Sequence, residues 1–265
     1  MQLIDTHCHI DFPQFESSRT EVLTRAAEAG IRHIIVPGVN AAGWGGIEAL
    51  FLAHCKNRPR LHIALGLHPC FLHGHQSQDL EQLEQLLSSK PVCAVGEIGL
   101  DLFIPQADLD EQLRFLKPQL ALAEKYQLPV LLHVRKAHDQ MLKQLRLFKL
   151  TRGGIVHAFS GSEQQAHQYI ELGFKLGLGG TVTYERAQKL RRTVQAIALE
   201  HFVLETDAPD MPLSGHQGKP NEPCRVLDVA KVVADLKDCT LEEVAAITSQ
   251  QALQLFNIDQ SSVVD

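Results

Sequence analysis

The sequence predicts an α/β fold of the (β/α)8 type, the TIM barrel, formed by a single domain. Three observations support this prediction. Short apolar runs alternate with helical segments along the whole chain, and there are eight such units. The runs are mostly continuously apolar, which is typical of parallel strands that are buried on both faces. The length of 265 residues is typical of one such barrel.

An open, doubly wound sheet is the alternative arrangement of the same alternation. Its nucleotide-binding version carries Gly-x-Gly-x-x-Gly after the first strand, and no such motif follows the first apolar run here. There is also no linker, repeat or low-complexity stretch that would divide the chain. We therefore predict a barrel domain over residues 1–258 and a polar tail over residues 259–265.

Each element is predicted from its own pattern of residues. Strands are short apolar runs bounded by polar or turn residues. Helices repeat apolar residues every three or four positions, as Leu113, Leu116, Leu120 and Ala123 do within the helix over residues 109–125. The predicted strands are residues 3–9, 33–37, 61–67, 92–97, 129–134, 154–158, 174–178 and 202–206. The predicted helices are residues 17–29, 47–55, 80–87, 109–125, 139–148, 163–172, 187–198, 224–236 and 241–256.

The composition limits the kinds of partner and compartment that we expect. A formal net charge of −6 argues against a broad basic surface for nucleic acid, so a polyanionic substrate would be held locally by metal ions and a few Arg or Lys. The six cysteines form no Cys-x-x-Cys motif and indicate reduced thiols. No signal-peptide pattern precedes the first strand, and no apolar run approaches the ~18 residues that span a bilayer. We expect a cytoplasmic protein with no membrane contact and no obligate protein partner.

Residues that can bind metal ions recur where the predicted strands end. In a TIM barrel these strand ends lie together at the mouth, where active sites are found. Because side chains alternate along a strand, the two histidines of the first strand share one face and can bind one ion. The residues at strand ends are His7, His9, His68, Glu97, His133, His157 and Asp207, and Arg135 lies two residues after His133.

Four of these five histidines, together with the two carboxylates, already exceed what one tetrahedral zinc ion needs. They suit two divalent ions that share a carboxylate, and Glu97, midway in the set, is the natural bridge. Such a pair of ions acidifies a water molecule and holds the attacking and leaving oxygens of an in-line displacement. Asp207 is a ligand, the acceptor of the water's proton, or both. Carboxylate oxygens favour Mg²⁺ or Mn²⁺, while four histidines would also hold Zn²⁺ well.

Six motifs occur in order along the chain. They are His7-x-His9, Gly66-Leu67-His68-Pro69, Gly96-Glu97-Ile98-Gly99-Leu100-Asp101, Leu132-His133-x-Arg135, His157-x-Phe159-Ser160-Gly161 and Glu205-Thr206-Asp207-x-Pro209. Together they resemble the TatD family of metal-dependent hydrolases, which belongs to the amidohydrolase superfamily. The resemblance extends from Ile4 to about Asn257, nearly the whole chain.

The resemblance implies a binuclear metal site and phosphodiester hydrolysis. Family members act as Mg²⁺- or Mn²⁺-dependent deoxyribonucleases, often trimming single-stranded DNA from the 3′ end, so DNA ends are the implied substrate. His68 and Arg135 match family positions near the site and would suit contact with a phosphate oxygen, which a planar guanidinium binds well. The implied ligands are His7, His9 and Asp207 for one ion, His133 and His157 for the second, and Glu97 as the bridge.

Rival functions from other classes share this fold. An amidohydrolase that cleaves a C–N or carboxylic ester bond is permitted by the superfamily, although many binuclear amidohydrolases have a modified Lys where this chain has Glu97. A metal-dependent binding protein would not need the complete set of ligands, bridge and candidate base. The phosphoesterase group called PHP also builds a barrel around His-x-His, but the Glu-Thr-Asp-x-Pro motif after the eighth strand favours TatD.

Overall fold

Eight parallel strands pair in chain order and form one sheet. The computed structural model describes residues 1–55 and 59–259. The first strand also meets the last, because the amide of Thr6 donates a hydrogen bond to the carbonyl of Leu204 (3.0 Å). The predicted single-domain (β/α)8 barrel is therefore confirmed. The strands are β1 (Leu3–Asp5), β2 (Ile31–Pro37), β3 (Arg60–Leu65), β4 (Val92–Asp101), β5 (Val130–Arg135), β6 (Gly154–Val156), β7 (Phe174–Leu178) and β8 (Phe202–Leu204).

Helices follow the strands and surround the barrel. Within residues 1–55 and 59–259, no helix is long and apolar enough to cross a membrane. Asp259 is the one residue of the predicted polar tail that the structure describes, and the rest of that tail lies outside the described residues. The helices are α1 (Arg19–Glu28), α2 (Ala41–His54), α3 (Ser77–Ser89), α4 (Leu109–Lys125), α5 (His138–Phe148), α6 (Glu163–Glu171), α7 (Gln188–Ala196), α8 (Val226–Lys237) and α9 (Leu241–Phe256).

The inside of the barrel is apolar near its base, where the strands begin. The last helix, α9, closes this end: Ser249 donates to the carbonyl of Gln2, which precedes β1, and Lys175 at the start of β7 donates to the side chain of Gln251. The candidate metal ligands lie at the opposite end, the mouth. The interior cluster consists of Ile4, Ile35, Ala64, Ala94, Leu131, Ile155 and Val203, with Ala252, Leu253 and Phe256 from α9.

The first and last strands are shorter than predicted, because their ends bend into the mouth. The carboxylate of Asp5 accepts hydrogen bonds from the backbone amides of His7 (3.2 Å) and Thr206 (3.0 Å). The two chain segments after β1 and β8 are thus tied together where the regular ladder ends. Cys8 lies between His7 and His9, so the alternation of side chains points it away from them. It packs in the main hydrophobic core.

Helix α2 begins at Ala41, well before the predicted start at residue 47. The prediction failed because three glycines in the first turns lower the helix propensity. Two interactions compensate: Asn40 caps the amide of Gly43 (2.9 Å), and the buried indole of Trp44 donates to the carbonyl of Gly66 (3.3 Å). Tertiary packing therefore overrides local propensity here.

Candidate metal centre

Four donor atoms converge at the mouth from the segments after β1 and β8 and from β4. The Nε2 atoms of His7 and His9 lie 3.3 Å apart. Asp207 Oδ1 lies 3.7 Å from the Nε2 atom of His7 and 3.6 Å from that of His9. Glu97 Oε2 lies 3.1 Å and 3.5 Å from the same two nitrogens. The first predicted ligand set, together with Glu97, is therefore assembled around one point.

This donor set fits a divalent cation. Ligand atoms about 2.0–2.1 Å from a tetrahedral ion stand about 3.4 Å from one another, and the separations here are 3.1–3.7 Å. Two imidazole nitrogens and two carboxylate oxygens offer more lone pairs than protons, so a positive charge between them satisfies all four. The Nδ1 atoms of His7 and His9 are buried and have no hydrogen-bond partner among the described residues.

The second oxygen of Glu97 faces a different group. Oε1 lies 3.2 Å from Nδ1 of His133 and 3.4 Å from Nε2 of His68. His68, Cys70 and His133 have potential ligand atoms that all lie within 4.8 Å of one another. Glu97 thus contacts two groups of candidate ligands with its two oxygens, which is the arrangement that the predicted bridge requires.

His157 lies on the first group's side of the centre. Its ring stacks on the ring of His7, with 3.7 Å between centroids, and its Nε2 atom lies 3.5 Å from Asp207 Oδ2. His7, Glu97 and His157 form a further group whose potential ligand atoms lie within 4.8 Å of one another. The two oxygens of Asp207 consequently face different histidines, as those of Glu97 do.

Glu205 positions His157 and was not among the predicted site residues. Glu205 Oε1 lies 2.9 Å from His157 Nδ1 and accepts a hydrogen bond from the amide of Ala158 (2.6 Å). Gly177 leaves the space for this carboxylate, because a Cβ atom there would lie 2.3 Å from Glu205 Oε2. A signal was present in the sequence, since Glu205 precedes Asp207 by two residues and so shares its face in a strand.

Asp101, at the end of β4, positions His133 in a similar way. Its Oδ2 atom lies 3.0 Å from His133 Nε2, and its Oδ1 atom accepts from the amide of Phe103 (2.8 Å). The thiol of Cys70 also lies 3.5 Å from Oδ2. Carboxylates that orient metal-binding histidines are common beside metal sites, and Asp101 has the corresponding position here.

Positive charge around the two carboxylates favours their ionised forms. Burial alone would raise the pKa of Glu97, but the charges of His7 and His68 outweigh it and hold that pKa well below its usual value. Burial is likewise outweighed at Asp207, where the charge and hydrogen bond of His157 lower the pKa. Both carboxylates are therefore anionic at neutral pH and suited to hold cations.

Three histidines of the site, His9, His133 and His157, have raised pKa values. Burial alone would lower the pKa of His133, but its hydrogen bonds to Asp101 and Glu97 raise the pKa to about 9. Burial is also outweighed at His157, where the charges of Glu205 and Asp207 raise the pKa well above its usual value. Without a metal ion these imidazoles hold protons, which an ion would have to displace.

The two residues predicted to contact substrate have different environments. Arg135, at the end of β5, is exposed on the rim, and its guanidinium carbon lies 4.0 Å from the ring centroid of Phe103. His68 is only 7% exposed, and its Nε2 atom faces Glu97. Arg135 therefore faces solvent at the mouth, whereas His68 lies inside the cluster of candidate ligands.

Comparison with known proteins agrees with these motifs and this geometry. A family model described as TatD related DNase matches residues 4–257. The chain belongs to the TatD family of metal-dependent hydrolases. Among its TatD relatives, the uncharacterized metal-dependent hydrolase YjjV of Escherichia coli K12 is 45% identical over 259 residues, which is 97% of this chain and 98% of YjjV. The crystal structure of YjjV superposes with a TM-score of 0.92 over 97% of this chain and 98% of that one.

Two further TatD relatives match nearly the whole chain. An uncharacterized metal-dependent hydrolase of Haemophilus influenzae is 38% identical, over 97% of this chain and 100% of the relative. A protein of Erwinia tasmaniensis named 3′-5′ ssDNA/RNA exonuclease TatD is 31% identical, again over 97% of this chain and 100% of the relative. The relatives that carry an exonuclease name are therefore more distant than YjjV.

Proposed function

We propose that this protein is a divalent-metal-dependent phosphodiesterase that shortens single-stranded DNA from the 3′ end in the cytoplasm. The observation that carries the proposal is the position of Glu97, whose two oxygens face two separate groups of histidines. A bridged pair of ions suits in-line displacement at phosphorus. The exonuclease name of the Erwinia tasmaniensis relative supports the choice of DNA ends as substrate.

The residues that would hold the two ions are assigned from the contacts above. His7, His9 and Asp207 would hold the first ion, with Glu97 between the two. His133 would hold the second ion, for which His157, beside Asp207, is the other predicted ligand. Bound Mg²⁺ or Mn²⁺ would lower the pKa of a water molecule and neutralise charge on the phosphoryl oxygens, and Zn²⁺ would also suit the histidines.

Asp207 would accept the proton of the attacking water. Its pKa is lowered, so the carboxylate is ionised at neutral pH. Its backbone φ of 57° is uncommon for a residue other than glycine, and it is held there by a hydrogen bond from its amide to the carbonyl of His7 (2.8 Å). Oδ2 lies 3.5 Å from Nε2 of His157, whose positive charge helps to keep the Asp207 carboxylate ionised.

Arg135 supplies a cation for the phosphate at the rim. A guanidinium donates two parallel hydrogen bonds to two phosphate oxygens, and the ring of Phe103 beneath Arg135 holds the guanidinium by a cation–π contact. Phe103 is 57% exposed, so part of its ring is also available to a base.

The proposal is tested with metal-stripped protein and a 5′-labelled single-stranded oligonucleotide. Mg²⁺, Mn²⁺ or Zn²⁺ is added back to the wild type, to Glu97→Gln and to the control Glu200→Gln, which removes an exposed carboxylate near the base. We expect a metal-dependent ladder that shortens from the 3′ end with the wild type and the control. Because Glu97 contacts both ligand groups, Glu97→Gln should keep less than about a tenth of the activity.

Two outcomes would contradict the proposal. Activity of Glu97→Gln above about a tenth of wild type would rule out the two-ion arrangement. No cleavage by fully metallated wild type would instead favour the alternative, an amidohydrolase that cleaves a C–N or ester bond of a small molecule, which a panel of such substrates would then test.

A further inference from the structure

The charged residues are unevenly distributed around the barrel. Residues 135–192 contain 11 of the 25 Lys and Arg but only 4 of the 31 Asp and Glu, so the remainder of the chain has 14 of the former and 27 of the latter. This stretch runs from the end of β5 into α7, so it forms neighbouring units of the barrel. We call residues 135–192 the basic sector. Its net charge is +7, although the net charge of the whole chain is −6.

Part of this positive charge borders the candidate metal centre. Arg135 and Lys136 lie at the mouth end of β5, and Arg186 and Lys189 lie where the chain leaves the mouth to form α7. Lys189 is near His138, the first residue of α5: after burial, its charge is the largest cause that lowers the pKa of His138 to about 4. The loops after β5 and β7 therefore present cations on either side of the segment that carries His157.

These cations are available to a partner. Lys136, Arg186 and Lys189 are exposed, and within residues 1–55 and 59–259 none of them forms an ion pair. Cations elsewhere on the surface form ion pairs more often, as Arg25 does with Glu222 and Lys231 with Asp228. Three exposed cations without an ion pair among the described residues thus lie on the side of the mouth that belongs to the basic sector.

Aromatic rings accompany two of the four cations. The guanidinium carbon of Arg186 lies 4.8 Å from the ring centroid of Tyr184, and that of Arg135 lies 4.0 Å from Phe103. Surfaces that bind single-stranded nucleic acid combine cations that follow the backbone with aromatic faces on which bases stack. Both features occur here together, on the rim of the site.

We propose that the basic sector binds the phosphate backbone of a single strand whose 3′ end lies in the metal centre, so that the strand leaves the mouth over the loops after β5 and β7. This inference rests on the proposed function and narrows its substrate to strands of several nucleotides. Each contact between a cation and a phosphate releases counterions, which makes binding favourable and dependent on salt. The net negative charge of the rest of the chain disfavours other paths for the same reason.

The test compares two triple variants that each remove three positive charges. One is Lys136→Gln, Arg186→Gln, Lys189→Gln, and the matched control is Lys117→Gln, Lys125→Gln, Lys231→Gln, at exposed lysines of α4 and α8. For each, kcat/KM is measured on a long single-stranded oligothymidylate and on bis(p-nitrophenyl) phosphate. Binding of the oligothymidylate is measured by fluorescence anisotropy at several salt concentrations.

We expect the first variant to lose roughly 10- to 100-fold in kcat/KM on the oligothymidylate and to keep its rate on the small diester. The slope of log affinity against log salt should fall by about 2, since each lost contact with a single strand accounts for about 0.7. The control should resemble wild type in both measurements. Equal behaviour of the two variants on the oligothymidylate would overturn the proposal.

The binding measurement separates this inference from the proposed function. If wild type cleaves neither substrate, the phosphodiesterase proposal fails, but anisotropy still decides about the surface. Salt-dependent binding that is weakened only in the first variant would support the basic sector as a strand-binding surface. Binding that is absent, or equally strong in both variants, would overturn it.

Discussion

Buried histidines occupy both ends of the barrel, but their neighbours differ. At the mouth, His133 lies between the carboxylates of Glu97 and Asp101, at 3.2 Å and 3.0 Å. Near the base, Nδ1 of His33 lies 2.9 Å from Nε2 of His62, so one imidazole donates a hydrogen bond to the other. The charged groups that act on this second pair are arginines, of which Arg60 acts on both histidines.

The difference in neighbours reverses the direction of the pKa shifts. Burial, together with the charges of Arg60 and Arg32, lowers the pKa of His33 to about 4. Burial, then the charge of His33, lowers the pKa of His62 to about 3. At the mouth, carboxylates outweigh burial and raise the pKa of His133 to about 9. Two close histidines are therefore insufficient to indicate a cation site, and the surrounding carboxylates distinguish the mouth from the base.

The largest effect that we expect at the mouth concerns the pH dependence of metal binding. An ion must displace the proton that His133 holds up to about pH 9 in the metal-free protein. Metal affinity should therefore rise with pH, by about tenfold per pH unit for each proton released, or about 100-fold from pH 6 to pH 8. Competition with a chelator at several pH values measures it, and activity should fall in acid accordingly. An affinity that does not change over this range would contradict the assignment of His133 as a ligand.

A smaller effect is expected for Asp101→Asn. Without the carboxylate charge, His133 keeps at most a weaker, neutral acceptor to orient its ring, and mutation of such a partner typically costs about 10- to 100-fold in metal affinity or activity. The control is Asp139→Asn, because Asp139 holds the amide of Gln165 (2.9 Å) and contacts no candidate ligand. Both variants are compared by metal titration and by kcat/KM. Equal values for the two variants would mean that Asp101 only supports its loop.

The alternation of strands and helices could be predicted from sequence because buried parallel strands are continuous apolar runs. The positions of the candidate ligands followed from the same pattern, since strand ends meet at one end of a barrel. The exact ends of β1 and β8 could not be predicted, because they depend on the carboxylate of Asp5, which joins segments about 200 positions apart in the chain. The start of α2 likewise depends on the contact between Trp44 and Gly66.

Distant contacts also explain what was missed in the site. The partner of His157 is Glu205, which follows β8, and the position of His68 beside Glu97 depends on the pairing of β3 with β4. The uneven charge was present in the sequence, but the total of −6 averages the basic sector with the acidic remainder. A pattern within one segment can be predicted, whereas contacts between segments require the fold.

The smallest effect on catalysis is expected at the base, for His62→Gln. Activity should stay within about twofold of wild type, because a change this far from the reacting atoms affects stability alone.

The same variant should change how stability depends on pH. Since the folded pKa values of His33 and His62 are about 4 and 3, protons bind the unfolded chain first. Full stability is present above the unfolded value of about 6.5 and is lost as the pH falls toward the folded values. From pH 7 to pH 5, the unfolding free energy of His62→Gln should therefore decrease by about 2 kcal/mol less than that of wild type. Urea titrations at both pH values measure this decrease, and the exposed His167→Gln is the control. The same decrease in His62→Gln as in wild type would show that the pair at the base does not exclude protons.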